Sequence, residues 1–136
     1  PVEVEKKLSE YGYHIGIVFQ IADDLLDYTS DTKVLGKAIG ADLKEGKLTL
    51  PVIHTLEHAD AKNRAWMEKV ITDKNFTDSD FEKLIQLMHD TGGIRYCREV
   101  AENHIHQAKS IIQSFPASKT TETLLLIADY TLNRNA

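Results

Sequence analysis

Apolar residues recur every three or four positions along the first part of the chain, and no proline interrupts them. This spacing is typical of an amphipathic helix, so the pattern predicts one long helix over residues 3 to 28. The residues predicted to form its core face are Tyr11, Ile15, Val18, Ala22, Leu25 and Leu26. Ile17 and Ile21 extend the apolar surface on another side, so the helix is expected to contact protein nearly all round.

A segment of Ser, Asp, Thr, Gly and Lys with scattered apolar residues covers positions 29 to 48, and it predicts a structured loop or short helical turns. Thr49 is then predicted to cap a short helix that opens at Leu50 and Pro51, where the missing N–H of proline does no harm. A further helix is expected over residues 61 to 72.

Three more helices are predicted in the rest of the chain. Thr77 offers a capping hydroxyl to the first, and the glycine pair at positions 92 and 93 ends it. The second runs from Ile94 to about Phe115, and Ser118 offers a cap to the third. The residues predicted to be buried in the last four helices are Ala65, Trp66, Val70, Ile71, Phe81, Leu84, Ile85, Met88, Cys97, Ala101, Ile105, Ala108, Ile112, Leu124, Leu125, Ile127, Ala128 and Leu132.

No strand pattern competes with these helices, so the predicted fold class is all-α: an antiparallel helical bundle that forms a single domain over residues 1–136. A hydrophobic content of 42% and a charged content of 27% are ordinary for one such domain. The formal net charge of -5, with basic residues spread along the chain, argues against a nucleic-acid surface.

The sequence contains neither an apolar run of about 18 residues nor a signal peptide, so it indicates no membrane insertion or secretion. Cys97 is the only cysteine, which excludes an internal disulfide and is consistent with a reducing cytoplasm, the expected location. The chain begins with Pro1 rather than methionine, and its first residues already fit a helix. It is therefore expected to be a fragment of a longer protein.

The predicted first helix carries acids that its apolar surroundings cannot easily accommodate. At 3.6 residues per turn, one narrow stripe contains Gly16, Gln20, Asp23 and Asp27, and Asp24 lies about a quarter turn away. Ionised carboxylates this close repel one another, and a buried unpaired charge is costly. A divalent cation removes both problems, and oxygen-only ligands suit magnesium. The alternative is a solvated acidic face near a helix end.

Zinc is less suited to the stripe, because no histidine or cysteine lies on it. A separate run, His54-Thr55-Leu56-Glu57-His58, matches the H-x-x-E-H pattern of inverted zinc peptidases. Its two histidines are four positions apart and could share a metal, but no convincing third ligand follows. Two surface histidines are the simpler interpretation.

Two lysines in the segment after the first helix, Lys37 and Lys47, each follow a glycine. The backbone can approach an anion closely at such positions while the ammonium supplies charge, although an isolated Gly-Lys pair is more often a solvated loop. A P-loop is excluded, because Gly40 and Gly46 are separated by five residues rather than four and Leu48 follows Lys47.

Two blocks of sequence resemble the trans-polyprenyl diphosphate synthases, the enzymes of all-trans isoprenyl chain elongation. The first resembles their second aspartate-rich motif and is Phe19-Gln20-x-x-Asp23-Asp24-x-x-Asp27. The second is Gly36-Lys37-x-x-Gly40-x-Asp42-Leu43-x-Glu45-Gly46-Lys47-x-Thr49-Leu50-Pro51. The strong part of the resemblance covers residues 16 to 53, and weaker similarity continues towards the end of the chain.

The resemblance implies a magnesium site on the first helix. Asp23 is its leading metal ligand, Asp27 is the partner on the same face, and Asp24 contributes directly or through water. The first aspartate-rich motif of the family, and the basic residues that bind isopentenyl diphosphate, are not in this chain. The chain therefore resembles the C-terminal part of such an enzyme.

The resemblance also implies roles for residues that surround the acids. Lys37 and Lys47 are expected to hold the diphosphate of the allylic substrate beside the magnesium ions. Gln20 is expected to position substrate or an acid, and Asp42 is expected to orient a lysine or a metal-bound water. Lys37 is thereby assigned to catalysis as well as to substrate binding.

By resemblance, the complete enzyme joins an allylic diphosphate to isopentenyl diphosphate: the allylic C–O bond ionises, the isopentenyl double bond attacks the cation, and a proton is lost. The second block looks more like the medium- and long-chain enzymes, so octaprenyl diphosphate is the expected product. The family also implies a homodimer. The fragment alone is expected to be inactive, since half of the metal cluster is missing.

Three alternatives stay open from the sequence. The complete protein could be a farnesyl or geranylgeranyl diphosphate synthase, or a non-catalytic partner subunit of a heteromeric prenyl synthase. The intact acids and lysines argue against such a subunit, because a purely structural chain gains nothing from grouped acids. The chain could also be a standalone domain that binds magnesium or phosphate.

Overall fold

The computed structural model describes residues 1–29, 47–73 and 77–133, and every regular element in these ranges is an α-helix. The predicted all-α fold class is confirmed. In chain order the helices are α1 (Val2–Thr29), α2 (Leu50–His58), α3 (Ala61–Thr72), α4 (Asp78–Asp90), α5 (Gly93–Gln113) and α6 (Lys119–Asn133). None of these helices is long and apolar enough to cross a membrane.

Short-range contacts and one glycine set several of the helix boundaries. The Thr77 hydroxyl accepts a hydrogen bond from the Asp80 backbone N–H at 3.1 Å, and the Asp80 carboxylate accepts one from the Thr77 N–H at 3.0 Å. This capping box starts α4 as predicted. The Ser118 hydroxyl accepts from the Thr121 N–H at 3.1 Å before α6. Gly92, at a φ of 75°, lies in the left-handed region that favours glycine and separates α4 from α5.

The chain divides into two compact units. The first contains residues 1–23 and 98–136, and its core is formed by Tyr11, Ala108 and Ile112. The partly buried residues that pack on this core are Ile15, Ile111, Phe115, Leu124 and Leu125. The Tyr11 hydroxyl donates a 2.6 Å hydrogen bond to the carbonyl oxygen of Leu124, which satisfies the one polar atom of this buried side chain.

The second unit contains residues 24–97, in which α2 contacts both α3 and α4. Its fully buried side chains include Val52, Thr55, Met67 and Met88. The Thr55 hydroxyl donates to the Pro51 carbonyl at 2.8 Å, so this buried polar group has a partner within its own helix. The prediction of a single domain over the whole chain stays a prediction.

The burial pattern corrects several predicted core positions. Ala65 and Ile127 are exposed, whereas Met67 and Thr131, which were not predicted, are buried. Within this chain, Tyr13 and Phe19 on α1 are 64% and 52% exposed, so the expectation that α1 contacts protein nearly all round stays a prediction for the complete protein. Helical spacing identifies residues that share a face, but it does not determine what covers that face.

Candidate metal and diphosphate site

The last turns of α1 carry the three predicted metal ligands. Asp23 is half-buried, whereas Asp24 and Asp27 are only 8% and 2% exposed. On an ideal helix, Asp27 is about 40° from Asp23 and about 60° from Asp24 around the axis. Asp23 and Asp27 therefore share one face of the helix, and Asp24 lies about a quarter turn from Asp23.

Burial makes the ionised form of these carboxylates costly unless a partner offsets the charge. Both oxygens of Asp27 are shielded from solvent, and a shielded carboxylate is stable only beside hydrogen-bond donors or a cation. The negative field extends to α5, because burial, and secondarily the charge of Asp24, raise the pKa of the Cys97 thiol to about 12. This end of α1 therefore favours cations and keeps the nearby thiol protonated.

The donor set fits magnesium as an open site. No group of three or more His, Cys, Asp or Glu side chains in metal-binding arrangement is found among the described residues, so the three aspartates do not form a preassembled cage. Magnesium does not need one, because it typically takes one or two carboxylates and completes its octahedron with water and phosphate oxygens. The carboxylates of Asp23, Asp24 and Asp27 are oxygen donors of this kind, and their assignment to a metal stays a prediction.

The other predicted site residues are described only in part. Gln20 is exposed on α1, one turn before Asp23. Lys47 is exposed just before α2, two positions ahead of the N-cap residue Thr49. Lys37 and Asp42 lie outside the described residues, so their predicted roles in diphosphate binding stay predictions.

A contact between the two sequence blocks was not anticipated from the sequence. The hydroxyl oxygens of Tyr28 and Thr49 lie 3.4 Å apart, and the Tyr28 ring stacks on Phe81 at a centroid distance of 6.1 Å. Tyr28 follows the last aspartate of the first block directly, and Thr49 belongs to the second block. The available signal was the position of Tyr28 directly after the first block and of Thr49 inside the second.

Within the described ranges, the H-x-x-E-H run belongs to no group of three or more side chains that could hold a metal. The rings of His54 and His58 stack at 4.0 Å with an interplanar angle of 13°, and Tyr96 stacks on His54 at 4.5 Å. Stacked rings direct their nitrogens side by side instead of converging on one ion. His58 Nδ1 also lies 2.8 Å from the His54 carbonyl oxygen, in hydrogen-bonding distance of its own helix. These contacts favour the simpler interpretation as structural surface histidines.

A second histidine pair was missed by the sequence reasoning. His14 on α1 and His104 on α5 place their Nδ1 atoms 2.8 Å apart, and both side chains are partly buried. The histidine near His104 along the chain is His106, but the partner of His104 is His14, which comes from another helix.

The chain is similar to prenyl-transferring proteins over most of its length. The family model described as "Polyprenyl synthetase" matches residues 1–88. A prenyl transferase of Cyanophora paradoxa is 38% identical over 131 residues, which are 96% of this chain and 39% of that protein. The octaprenyl diphosphate synthase of Escherichia coli is 34% identical over 133 residues, or 98% of this chain and 41% of that protein.

The chain is also similar to solved structures of prenyl synthases. A polyprenyl synthase from Caulobacter crescentus, complexed with calcium and isoprenyl diphosphate, has a TM-score of 0.91 at 32% identity and covers 100% of this chain and 42% of its own. A geranylgeranyl pyrophosphate synthetase from Pyrococcus horikoshii has a TM-score of 0.89 at 37% identity and covers 98% of this chain and 40% of its own. The chain thus spans about 40% of the length of the curated relatives that it matches.

Proposed function

Because the chain belongs to the polyprenyl synthetase family, we propose that it is the C-terminal part of a prenyltransferase. The complete enzyme would condense isopentenyl diphosphate with an allylic diphosphate and release inorganic diphosphate. The observation that carries this proposal is the set of adjacent carboxylates at the buried end of α1, which lies within the matched residues. Magnesium is the proposed cofactor.

The chemistry explains why acids and lysines belong together in this site. The allylic C–O bond ionises and its electron pair leaves with the diphosphate, the isopentenyl double bond forms the new C–C bond, and one proton is lost. Bound magnesium supplies positive charge that stabilises the negative charge developing on the diphosphate oxygens. Asp23 and Asp27 would hold the metal from one face of α1, and Asp24 would contribute directly or through water.

The remaining residues would act on the substrate. Lys47 and Lys37 would bind the diphosphate with their ammonium groups, which adds fixed positive charge where the leaving group departs. Gln20 would orient substrate or an acid, and Asp42 would orient a lysine. Buried apolar neighbours of the acids, such as Leu25, lower the local dielectric and strengthen these electrostatic interactions.

The test of the proposal is the variant Asp23→Asn in the complete enzyme. We expect prenyl transfer from farnesyl and isopentenyl diphosphates with magnesium to fall by at least about 100-fold, because a charged metal ligand is lost. Circular dichroism and the melting temperature should stay close to those of the wild type, since Asp23 is only half-buried.

Asp90→Asn is the matched control, because it makes the same chemical change at an exposed position on α4. Its Oδ1 accepts a hydrogen bond from the Gln86 side chain, which an asparagine oxygen can also accept. This variant should keep wild-type turnover. Wild-type turnover in Asp23→Asn would instead remove that residue from the site.

Homodimerisation and a cytoplasmic location are further parts of the proposal. Both come from the family resemblance and the composition, and neither depends on the geometry of the acids. Light scattering of the complete enzyme would test the first, and localisation of a tagged enzyme would test the second.

A further inference from the structure

The contact between Tyr28 and Thr49 joins the ends of the two sequence blocks. Tyr28 lies in the last turn of α1, directly after Asp27, and Thr49 precedes α2, two positions after Lys47. Both side chains are buried, and their hydroxyl oxygens are 3.4 Å apart, a long and therefore weak hydrogen bond. The contact links the turn that carries Asp27 with the short segment that carries Lys47.

The Thr49 hydroxyl is not occupied by its own helix. Thr49 is the N-cap residue of α2, where a threonine side chain usually accepts a hydrogen bond from one of the first backbone N–H groups. Here it makes no such bond, and Pro51 in the first turn has no N–H to offer. The hydroxyl faces Tyr28 instead, so this threonine serves the contact between elements rather than the start of α2.

The Tyr28 ring is held firmly enough to give its hydroxyl a fixed position. The residue is 4% exposed, and its ring stacks on Phe81 of α4 with an interplanar angle of 24°. Helix ends fray, because their last carbonyls lack partners in the helix. A tyrosine packed in this way steadies the final turn of α1, and Asp27 belongs to the same turn.

We propose that Tyr28 and Thr49 are positioning residues, which hold the Asp27 carboxylate and the start of the Lys47 side chain in a fixed relation for magnesium and diphosphate. This inference rests on the proposed function. In this role neither hydroxyl would need to touch substrate. Tyr28 acts through the backbone on Asp27, which would bind magnesium, and Thr49 acts through the backbone on Lys47, which would bind the diphosphate. Residues that support metal ligands from behind commonly act in this indirect way.

A double-mutant cycle in the complete enzyme tests the proposal. Tyr28→Phe and Thr49→Val each remove one hydroxyl with little change in volume. We expect each to lower kcat/KM for the allylic diphosphate by about tenfold and to raise the magnesium concentration needed for half-maximal activity. The double variant should be no worse than either single variant, because one shared contact is lost. Thr49→Ser keeps the hydroxyl, so its kcat/KM and its magnesium requirement should both stay close to those of the wild type.

Tyr11→Phe is the matched control. It also removes a buried tyrosine hydroxyl, whose 2.6 Å hydrogen bond to the Leu124 carbonyl lies in the other unit. We expect it to lower the melting temperature while the magnesium requirement stays unchanged. A simple loss of stability would thus be distinguished from a loss of positioning.

The outcomes separate this inference from the proposed function. If the wild-type enzyme condenses the substrates but Tyr28→Phe keeps the wild-type magnesium requirement, the positioning role is overturned and the proposed function stands. Additive losses in the double variant would overturn the coupling between the two hydroxyls. If the folded wild-type enzyme forms no product with magnesium present, the proposed function fails, and the positioning role fails with it.

Discussion

At the scale of single residues, the contact between His14 and His104 has a direct acid–base consequence. A hydrogen bond between two Nδ1 atoms requires that one carries a proton and the other does not. The observed distance of 2.8 Å is therefore incompatible with a pair that is protonated at both rings. Burial, and secondarily the charge of His14, lower the pKa of His104 from its ordinary value of 6.5.

We predict that this pair makes the folded state less stable in mild acid. Below pH 6.5, the unfolded chain binds a proton at His104 that the folded chain binds less readily, so the free energy of unfolding falls as the pH falls. The loss begins near the unfolded pKa and continues until the lower folded pKa is passed. Urea unfolding between about pH 7.5 and pH 5.5 measures it.

The variant His104→Gln isolates the contribution of this group from the other titrating groups. We expect a smaller change of unfolding free energy with pH in this variant than in the wild type. His106→Gln, at an exposed position on the same helix, should keep the wild-type slope. Equal slopes in wild type and His104→Gln would show that the pair does not control stability in acid.

Single-residue roles could be predicted only where neighbours in sequence are also neighbours in space. The common face of Asp23 and Asp27 follows from helical geometry alone once the segment is helical, and both residues lie in α1. The partner of His104 could not be predicted, since it depends on how α1 and α5 pack within the first unit. The same holds for Tyr28, whose contact with Thr49 closes over an intervening stretch of chain.

At the scale of elements, the second unit depends on a close approach between α2 and the start of α5. A Cβ atom at Gly93 would lie 2.9 Å from the Thr55 hydroxyl and 3.2 Å from the Pro51 carbonyl oxygen. One of these neighbours is backbone, so it cannot move aside as a flexible side-chain end could. Gly93 thus permits this packing by its small size.

We predict that Gly93→Ala lowers the free energy of unfolding by about 1–3 kcal/mol, because the added methyl overpacks this contact. Gly12→Ala is the opposite control: no described atom lies within 4 Å of a Cβ placed there. Alanine favours a helix over glycine, so it should raise stability by up to about 1 kcal/mol. Urea unfolding checks both, and a Gly93→Ala protein as stable as the wild type would contradict the packing argument.

Helix boundaries were predictable because their signals are local. The capping box at Thr77 and the cap at Ser118 use residues within one turn, and both helices start as predicted. Thr49 shows the limit of such signals. It occupies the predicted N-cap, but its side chain makes no capping bond, because the packed Tyr28 nearby offers another partner.

At the scale of the whole molecule, the recurrence of apolar residues every three or four positions predicted the helices and the all-α class. It could not predict which apolar residues stay exposed, such as Phe19 on α1 and Leu126 on α6, because exposure depends on what packs against each face. The candidate site is likewise described only in part. The structure describes its three aspartates, whereas Lys37 and Asp42 lie outside the described residues.

Product length is a property of the complete enzyme, and it provides the last prediction. We expect a discrete medium- or long-chain product, octaprenyl diphosphate, from farnesyl and isopentenyl diphosphates with magnesium, resolved by chromatography after removal of the diphosphate. Similar proteins include both an octaprenyl diphosphate synthase and a short chain isoprenyl diphosphate synthase. A product that stops at geranylgeranyl diphosphate would place the enzyme with the short-chain group.

The burial of Cys97 has a practical consequence for experiments on this protein. The thiol is fully buried, and its pKa of about 12 leaves almost no thiolate at neutral pH. Maleimide dyes and thiol-reactive spin labels should therefore not react with Cys97 in the folded chain, and this sequence contains no other cysteine. A cysteine introduced at an exposed position such as Ser110 on α5 could then be labelled selectively without first replacing the native one.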